Sequence, residues 1–340
     1  MGTLKQSLTD ELTTIASLGS TIAEEAAAYG IEIMPICKAL DVDPQSFNDL
    51  TARISLDRLC RLMEACAVLA QDEAFGLRCA ARFVRGATGP FGYGLMAAPT
   101  VRDFITFLAD NIQYATHTSY CRLSFDDKHA RLQWTFAPMI VKRDQYVDLA
   151  VRLVILRLAD IGLKSSYIEL DLERAKPRDA SVFRESLCRK IGFDAGINEL
   201  RIKTAALSQV NPGSDPRMFK MMSMQCRALQ PSLSSDLGDI HDQVRRYVSL
   251  RIADRDISLQ ALSGYFGISE RTLQRRLAES GTSIQALRDD TRRQLSLQLL
   301  TQSDLSIAEI GYRLGYSRPG AFTRSVIRWF KKTPSQMRPR

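Results

Sequence analysis

One pattern occurs twice in the last hundred residues. Ser258, Leu259, Leu262, Phe266, Gly267 and Ser269 are matched by Ser306, Ile307, Ile310, Leu314, Gly315 and Ser317 at a constant offset of 48. Past the turn the offset becomes 49, aligning Leu273, Arg275 and Leu277 with Phe322, Arg324 and Val326. A pattern that recurs with its caps, turn and apolar spacing intact restricts this segment to two copies of one supersecondary unit.

Each copy begins with a serine placed to cap a helix, and Ser306 with Glu309 has the spacing of a capping box. Apolar residues follow at helical spacing over about two turns. Gly267 or Gly315 then stands where a helix ends in the left-handed conformation. One more residue and another capping serine lead into a second helix. This is a helix-turn-helix, whose second helix enters the DNA major groove. A single match is weak, because any short helical hairpin carries a glycine turn; two in one basic segment are not. Residues 241–340 hold 16 Arg and 2 Lys against 9 Asp and Glu, a net charge of +9. The whole chain carries +8, leaving −1 for the first 240 residues. Such asymmetry marks a nucleic-acid-binding module joined to something else.

The segment from about Asp239 to Arg340 resembles the DNA-binding domain of the AraC/XylS family of bacterial transcription regulators. The resemblance is carried by Ala308-Glu309-Ile310-Gly311-Tyr312-Arg313-Leu314-Gly315-Tyr316-Ser317, by Phe322-Thr323-Arg324, and by Thr333-Pro334-Ser335-Gln336-Met337-Arg338. It implies seven helices, two helix-turn-helix units and a long joining helix at roughly Ser283–Thr301. Some 18 helical residues span about 27 Å. With the width of the helices it joins, that suits recognition helices about 34 Å apart, one DNA turn. One monomer is therefore expected to read two successive major grooves. The resemblance puts the base-reading positions on Arg271, Gln274 and Arg275 in the first unit and on Pro319, Gly320 and Arg324 in the second. Arg pairs bidentately with guanine and Gln with adenine. Pro319 and Gly320 offer no side-chain donor, so the second helix is expected to read fewer bases and to rely on phosphate contacts. Arg292 and Arg293 on the joining helix are expected to be solvated or phosphate-facing, and Trp329 to pack. Lys331 stands where the family has glycine, so the turn there is expected to differ.

A change of composition at Gln230–Gly238 marks a linker at 231–238, between an effector-binding or dimerisation domain at 1–230 and the DNA-binding domain at 239–340. Residues 1–115 read as helical, with Arg58–Ala81 one periodic stretch, and Gly86–Pro99 reads as a loop. Arg122–Phe136 reads as strand, turn, strand; then come a helix at Gln145–Gly162, a strand at Tyr167–Leu172, a helix at Val182–Ile191 and a strand at Glu199–Ile202. This order predicts an α+β domain. The half is similar to the arabinose-binding-type sensor domain of the ornithine-utilisation and virulence-regulator branch of the family. The likeness is carried by Phe91-Gly92-Tyr93-Gly94-Leu95-Met96, by Pro99-Thr100-Val101, and by the strand-helix-strand order. It implies a small-molecule effector and a homodimer. The glycine-rich loop is expected either to line an effector pocket with Phe91, Tyr93 and Met96 or to be a packed connecting loop.

Other chemistry finds little support. The seven cysteines lie before the linker, odd in number and without C-x-x-C spacing. Neither a disulfide framework nor a zinc site is indicated; they read as buried small hydrophobes. His117 and Cys121 would share a helix face but have no third ligand nearby. The glycines of 86–94 match neither a P-loop nor a dinucleotide fingerprint, and no nucleophile–base pairing is evident. An enzyme or carrier fused to a DNA-binding tether would need a reactive cysteine in a Pro-Cys-His context, which no cysteine has. Met1–Lys5 lacks the apolar core of a signal peptide. The most apolar helix, Leu149–Leu163, is broken by Arg152, Arg157 and Asp160, so it does not suit a membrane. The expectation is a soluble cytoplasmic regulator, not an enzyme, needing no cofactor or metal. It binds double-stranded promoter DNA and activates by contacting RNA polymerase. The alternative is a constitutive regulator whose first domain only dimerises or binds a protein partner.

Overall fold

The computed structural model describes residues 12–117, 120–229, 240–252 and 257–339, and the linker expected at 231–238 lies outside them. The chain forms two compact units that divide near residue 231, with the short segment Phe136–Val141 grouped with the second.

The first unit opens with β1 (Thr13–Ile15), α1 (Leu18–Ala28), α2 (Ile33–Ala39), β2 (Arg53–Ser55), α3 (Leu56–Ala70), α4 (Phe75–Ala81), α5 (Gly89–Ala97) and α6 (Val101–Ala115). It continues with β3 (Tyr120–Phe125), β4 (His129–Thr135), α7 (Asp144–Asp160), β5 (Ile168–Asp171), α8 (Ala180–Ser186), β6 (Lys190–Gly192), β7 (Asn198–Lys203) and α9 (Pro216–Leu229). β1 pairs with β2, and the other strands form one sheet in the order β3-β4-β7-β5-β6, antiparallel except for β5–β6. This is the expected α+β class.

Alternation at period two explains the sheet. Ile168, Leu170, Leu200 and Ile202 are buried. Between them, Glu169, Asp171, Glu199 and Arg201 form ion pairs on the other face, with Arg201 at 2.5 Å from Asp171 and 2.7 Å from Glu199. The β3–β4 turn is set by Asp126, whose Oδ1 accepts from the amides of Lys128 and His129, each at 2.8 Å.

Four readings need correction. The glycine-rich stretch expected as a loop contains a helix, α5. Gly89 opens it at φ 58°, while Gly92 and Gly94 provide space: a Cβ on Gly94 would lie 2.2 Å from the Phe107 ring, and one on Gly92 would lie 2.3 Å from Thr88 Oγ1. The periodic stretch at 58–81 is two helices, parted by a turn with Gln71 at φ 53°. The helix expected at Val182–Ile191 ends at Ser186, and β6 follows, pairing parallel with β5. His117 and Cys121 share no helix face, since α6 ends at Ala115; His117 Nδ1 accepts from the Thr13 amide at 3.0 Å. Six of the seven cysteines are buried and all are free thiols.

In the second unit the described residues form seven helices, the number the resemblance implied: α10 (Ile240–Arg251), α11 (Leu259–Phe266), α12 (Glu270–Glu279), α13 (Ile284–Gln302), α14 (Ile307–Arg313), α15 (Pro319–Phe330) and α16 (Pro334–Met337). α13 has 19 residues and spans about 28 Å. It buries Leu287, Leu295, Leu299 and Leu300 and packs against α10, α14, α15 and α16. No helix among the described residues is long and apolar enough to cross a membrane.

Lys331 closes α15 in the left-handed conformation, φ 57° and ψ 20°, and its amide donates to the Ile327 carbonyl at 2.9 Å. The turn expected to differ therefore keeps a glycine's geometry with a lysine in it. Such a conformation costs a side chain with Cβ about 1–2 kcal/mol. Lys331→Gly should stabilise the unit by about 1 kcal/mol once the greater unfolded-state freedom of glycine is subtracted; an unchanged or lower melting temperature contradicts this. In the first unit a Cβ on Gly76 would sit 2.1 Å from the Gln145 carbonyl oxygen, part of α7's backbone. Gly76→Ala should therefore destabilise by about 1–3 kcal/mol, read as a lowered denaturant midpoint.

Candidate nucleic-acid interface and ligand cavity

In the first helix-turn-helix, Ser258 Oγ accepts from the Ala261 amide at 3.1 Å to start α11. Gly267 ends it at φ 63°, and Ser269 Oγ caps α12 through the Thr272 amide at 3.2 Å. These are the caps and turn read from the repeat. Along α12, Leu273 and Leu277 are buried, four residues apart on one face. Arg271, Gln274 and Arg275 are exposed on the opposite side, together with Arg276. Arg275 lies 3.5 Å from Glu279 with both side chains mostly in solvent, 69% and 64% exposed. A pair so solvated is weak, and Arg275 remains available to a stronger acceptor.

The second helix-turn-helix repeats this with two differences, one being that α14 ends at Arg313 with Leu314, not the glycine, as its C-cap. Ser306 Oγ accepts from the Glu309 amide at 3.1 Å. Glu309 does not complete the box; its carboxylate pairs with Arg313 at 3.1 Å. Gly315 takes the left-handed turn at φ 79°. Ser317 does not cap α15. The extra residue that changes the offset makes Arg318 the N-cap, with no side-chain hydrogen bond to the helix and Pro319 following in the first turn. Phe322 and Val326 are fully buried, and Pro319, Gly320 and Arg324 are exposed. Gly320 leaves room beside Arg324: a Cβ there would meet Arg324 Nη1 at 3.8 Å.

Arg292 is half-buried and makes contacts within the domain. Its Nε donates to the Leu314 carbonyl at 3.0 Å, and its guanidinium lies 5.0 Å from the Tyr316 ring centre. It ties α13 to the turn of the second unit, and Tyr316 in turn packs on Phe322 at 5.5 Å. Arg293 is exposed, 5.9 Å from the Phe330 ring centre. Trp329 packs edge-on against Phe330 at 6.3 Å, and Arg328 reaches Asp289 on α13 at 2.7 Å.

The first unit contains a cavity of about 90 Å³ walled chiefly by apolar side chains of α1, α5, α6 and α7. Of the three residues expected to line an effector pocket, Phe91 and Met96 line this cavity. Tyr93 does not: it points away from Phe91 on α5, is 45% exposed, and lines a separate polar cleft. The sequence reading missed the α7 contribution, Tyr146, Leu149, Leu153 and Arg157. The one available signal was Arg157, a cation following the apolar run Leu153-Val154-Ile155 of α7. Tyr146 lies at the cavity wall with its hydroxyl 2.9 Å from Thr14 Oγ1, and burial pushes its phenol up to about 12. It is therefore a neutral hydrogen-bonding group across the physiological range. α7 is anchored on its far side by Asp148, which is fully buried and bonded to Arg174. Burial pushes the Asp148 carboxyl up, and the Arg174 charge opposes that.

Comparison with known proteins agrees with both halves. The model of the arabinose-binding domain of AraC transcription regulators matches residues 30–211, and a helix-turn-helix domain model matches residues 262–340. The ornithine utilization regulator of Pseudomonas aeruginosa is 24% identical over 339 residues, 98% of this chain and 99% of that one. An uncharacterised HTH-type transcriptional regulator of Mycobacterium tuberculosis is 24% identical over 332 residues, 93% of each chain. The crystal structure of the transcriptional regulator CdpR from Pseudomonas aeruginosa aligns over 89% of this chain and 95% of that one, at 17% identity and a TM-score of 0.41. With its first domain matched over more than half the chain and its second ending in two helix-turn-helix units, this protein belongs to the AraC family of transcription regulators.

Proposed function

We propose that the chain is a sequence-specific regulator that reads two successive major grooves per monomer and activates transcription under the control of a small effector. In this reading residues 1–230 bind the effector and dimerise, 231–238 link, and 239–340 bind promoter DNA. Regulation proceeds in the cytoplasm through contact with RNA polymerase, and the protein is not an enzyme.

One observation carries the DNA reading. Arg271, Gln274 and Arg275 stand outward over the buried pair Leu273 and Leu277, and Arg324 stands outward over the buried pair Phe322 and Val326. The first helix thus offers a guanine-reading and an adenine-reading donor set. The second offers one arginine beside a first turn that no side chain caps. Its amides and positive helix end favour a phosphate, which supports base reading mainly in the first groove and backbone contact in the second. The apolar cavity supports effector control over the constitutive alternative. An effector switches the protein only if it binds the DNA-competent state better than the other state.

Arg275→Ala should weaken binding by about 1–3 kcal/mol on duplexes selected from a random library by the wild-type chain, and should relax preference at one base pair. An equal loss on every sequence contradicts base reading by Arg275. Affinity should also fall steeply with salt, log K changing by about −0.9 per neutralised phosphate for each unit of log salt. A flat response rules out the basic footprint.

A further inference from the structure

We propose that the apolar cavity takes a small aliphatic carboxylate, its chain among the side chains of α1, α5 and α7 and its carboxylate on Arg157. This names the ligand class of the effector site and rests on the effector reading above.

The walls determine what is excluded. Ile15, Leu18, Phe91, Leu95, Leu149 and Leu153 offer no hydrogen-bonding side chain. The hydroxyls that reach the cavity, those of Thr88, Thr116 and Tyr146, are uncharged, and among the described lining residues Arg157 alone carries a charge. A cationic ligand would be desolvated there with no counter-charge. A carboxylate meets a planar guanidinium able to hold both its oxygens.

The surroundings of Arg157 supply the independent observation. Arg157 and Met96 line both the cavity and the neighbouring polar cleft, so Arg157 stands where the two adjoin. Its side chain is 13% exposed, and its Nη1 lies 2.7 Å from Asp160 Oδ2. Asp160 Oδ1 is also 3.0 Å from Arg85. One carboxylate therefore serves two guanidiniums. The other acid lining that cleft, Asp215, is engaged elsewhere: its Oδ1 accepts from the amides of Arg217 and Met218 at 2.9 and 3.0 Å, in the first turn of α9. A ligand carboxylate completes the set, because Arg157 can turn to it while Asp160 keeps Arg85. The cavity, at about 90 Å³, is smaller than the ~150 Å³ cavity that takes benzene. It suits a short chain and not a long-chain lipid.

The test is calorimetric titration of the full chain with valerate, pentanol and pentylamine, on the wild type, Arg157→Gln and Leu153→Phe. Valerate should bind at least ten-fold more tightly than pentanol, and pentylamine should not bind. Arg157→Gln should remove the preference for valerate while pentanol binding stays unchanged. Leu153→Phe, which fills the cavity and leaves the Arg157–Asp160–Arg85 cluster intact, should abolish valerate binding. Pentanol or pentylamine binding as tightly as valerate overturns the carboxylate assignment and leaves an effector cavity standing. So does a preference that survives Arg157→Gln, or valerate binding that survives Leu153→Phe. No binding of any of the three to a wild-type chain that melts cooperatively overturns the assignment and the effector reading together.

Discussion

Each recognition helix is held by only two fully buried side chains four residues apart, Leu273 with Leu277 and Phe322 with Val326. That constraint organises the second unit. A helix of 10 or 12 residues is marginal in water by itself, so its orientation comes from burying one narrow stripe. Two residues at i and i+4 fix the rotation about the helix axis, and every polar residue on the far face then points outward. The caps and left-handed glycines set where each helix begins, and α13 supplies the wall against which the second is packed. Arg292 closes the arrangement by bonding the Leu314 carbonyl across the turn.

The first unit follows a different logic, in which close packing leaves a defined space. Gly76 lets α4 approach the α7 backbone, and Gly94 lets α5 approach Phe107 on α6. Phe107 packs at a tilt against Phe91 at 6.0 Å and Phe219 of α9 at 5.4 Å, linking three helices. α7 runs through this core with one flank on the buried Asp148–Arg174 pair and another on the cavity. Near the end of α7, Arg157 and Asp160 pair one turn apart, and Asp160 also pairs with Arg85.

Much of this was legible in the residues, and the failures have physical causes. The repeat located the starts of α11, α12 and α14 and the end of α11 because serine caps and glycine turns are local chemistry. The β3–β4 hairpin was legible for the same reason, from Asp126 and the alternation around it. The α5 helix was hidden because glycine serves two purposes: its low helix propensity suggests a loop, while its missing Cβ is what allows close packing. That second purpose depends on Phe107, twelve residues or more away in sequence, which no local pattern reports. β6 was read as helix because three residues acquire their strand identity only from pairing with β5. Ser317 fell one residue short of its capping role through the single inserted residue that had been visible in the changed offset. Phe91 and Met96 line the cavity and Tyr93, on the other side of the same helix, does not, a distinction that could be drawn only once α5 was known to be helical.

The central claim, that one chain presents two recognition helices to successive major grooves, is most directly tested by hydroxyl-radical footprinting on a selected duplex. The full chain, at concentrations where one monomer is bound, should protect two patches on one face of the DNA about one helical turn apart. A single protected patch, unchanged in length when α15 is altered at Arg324, would contradict the account.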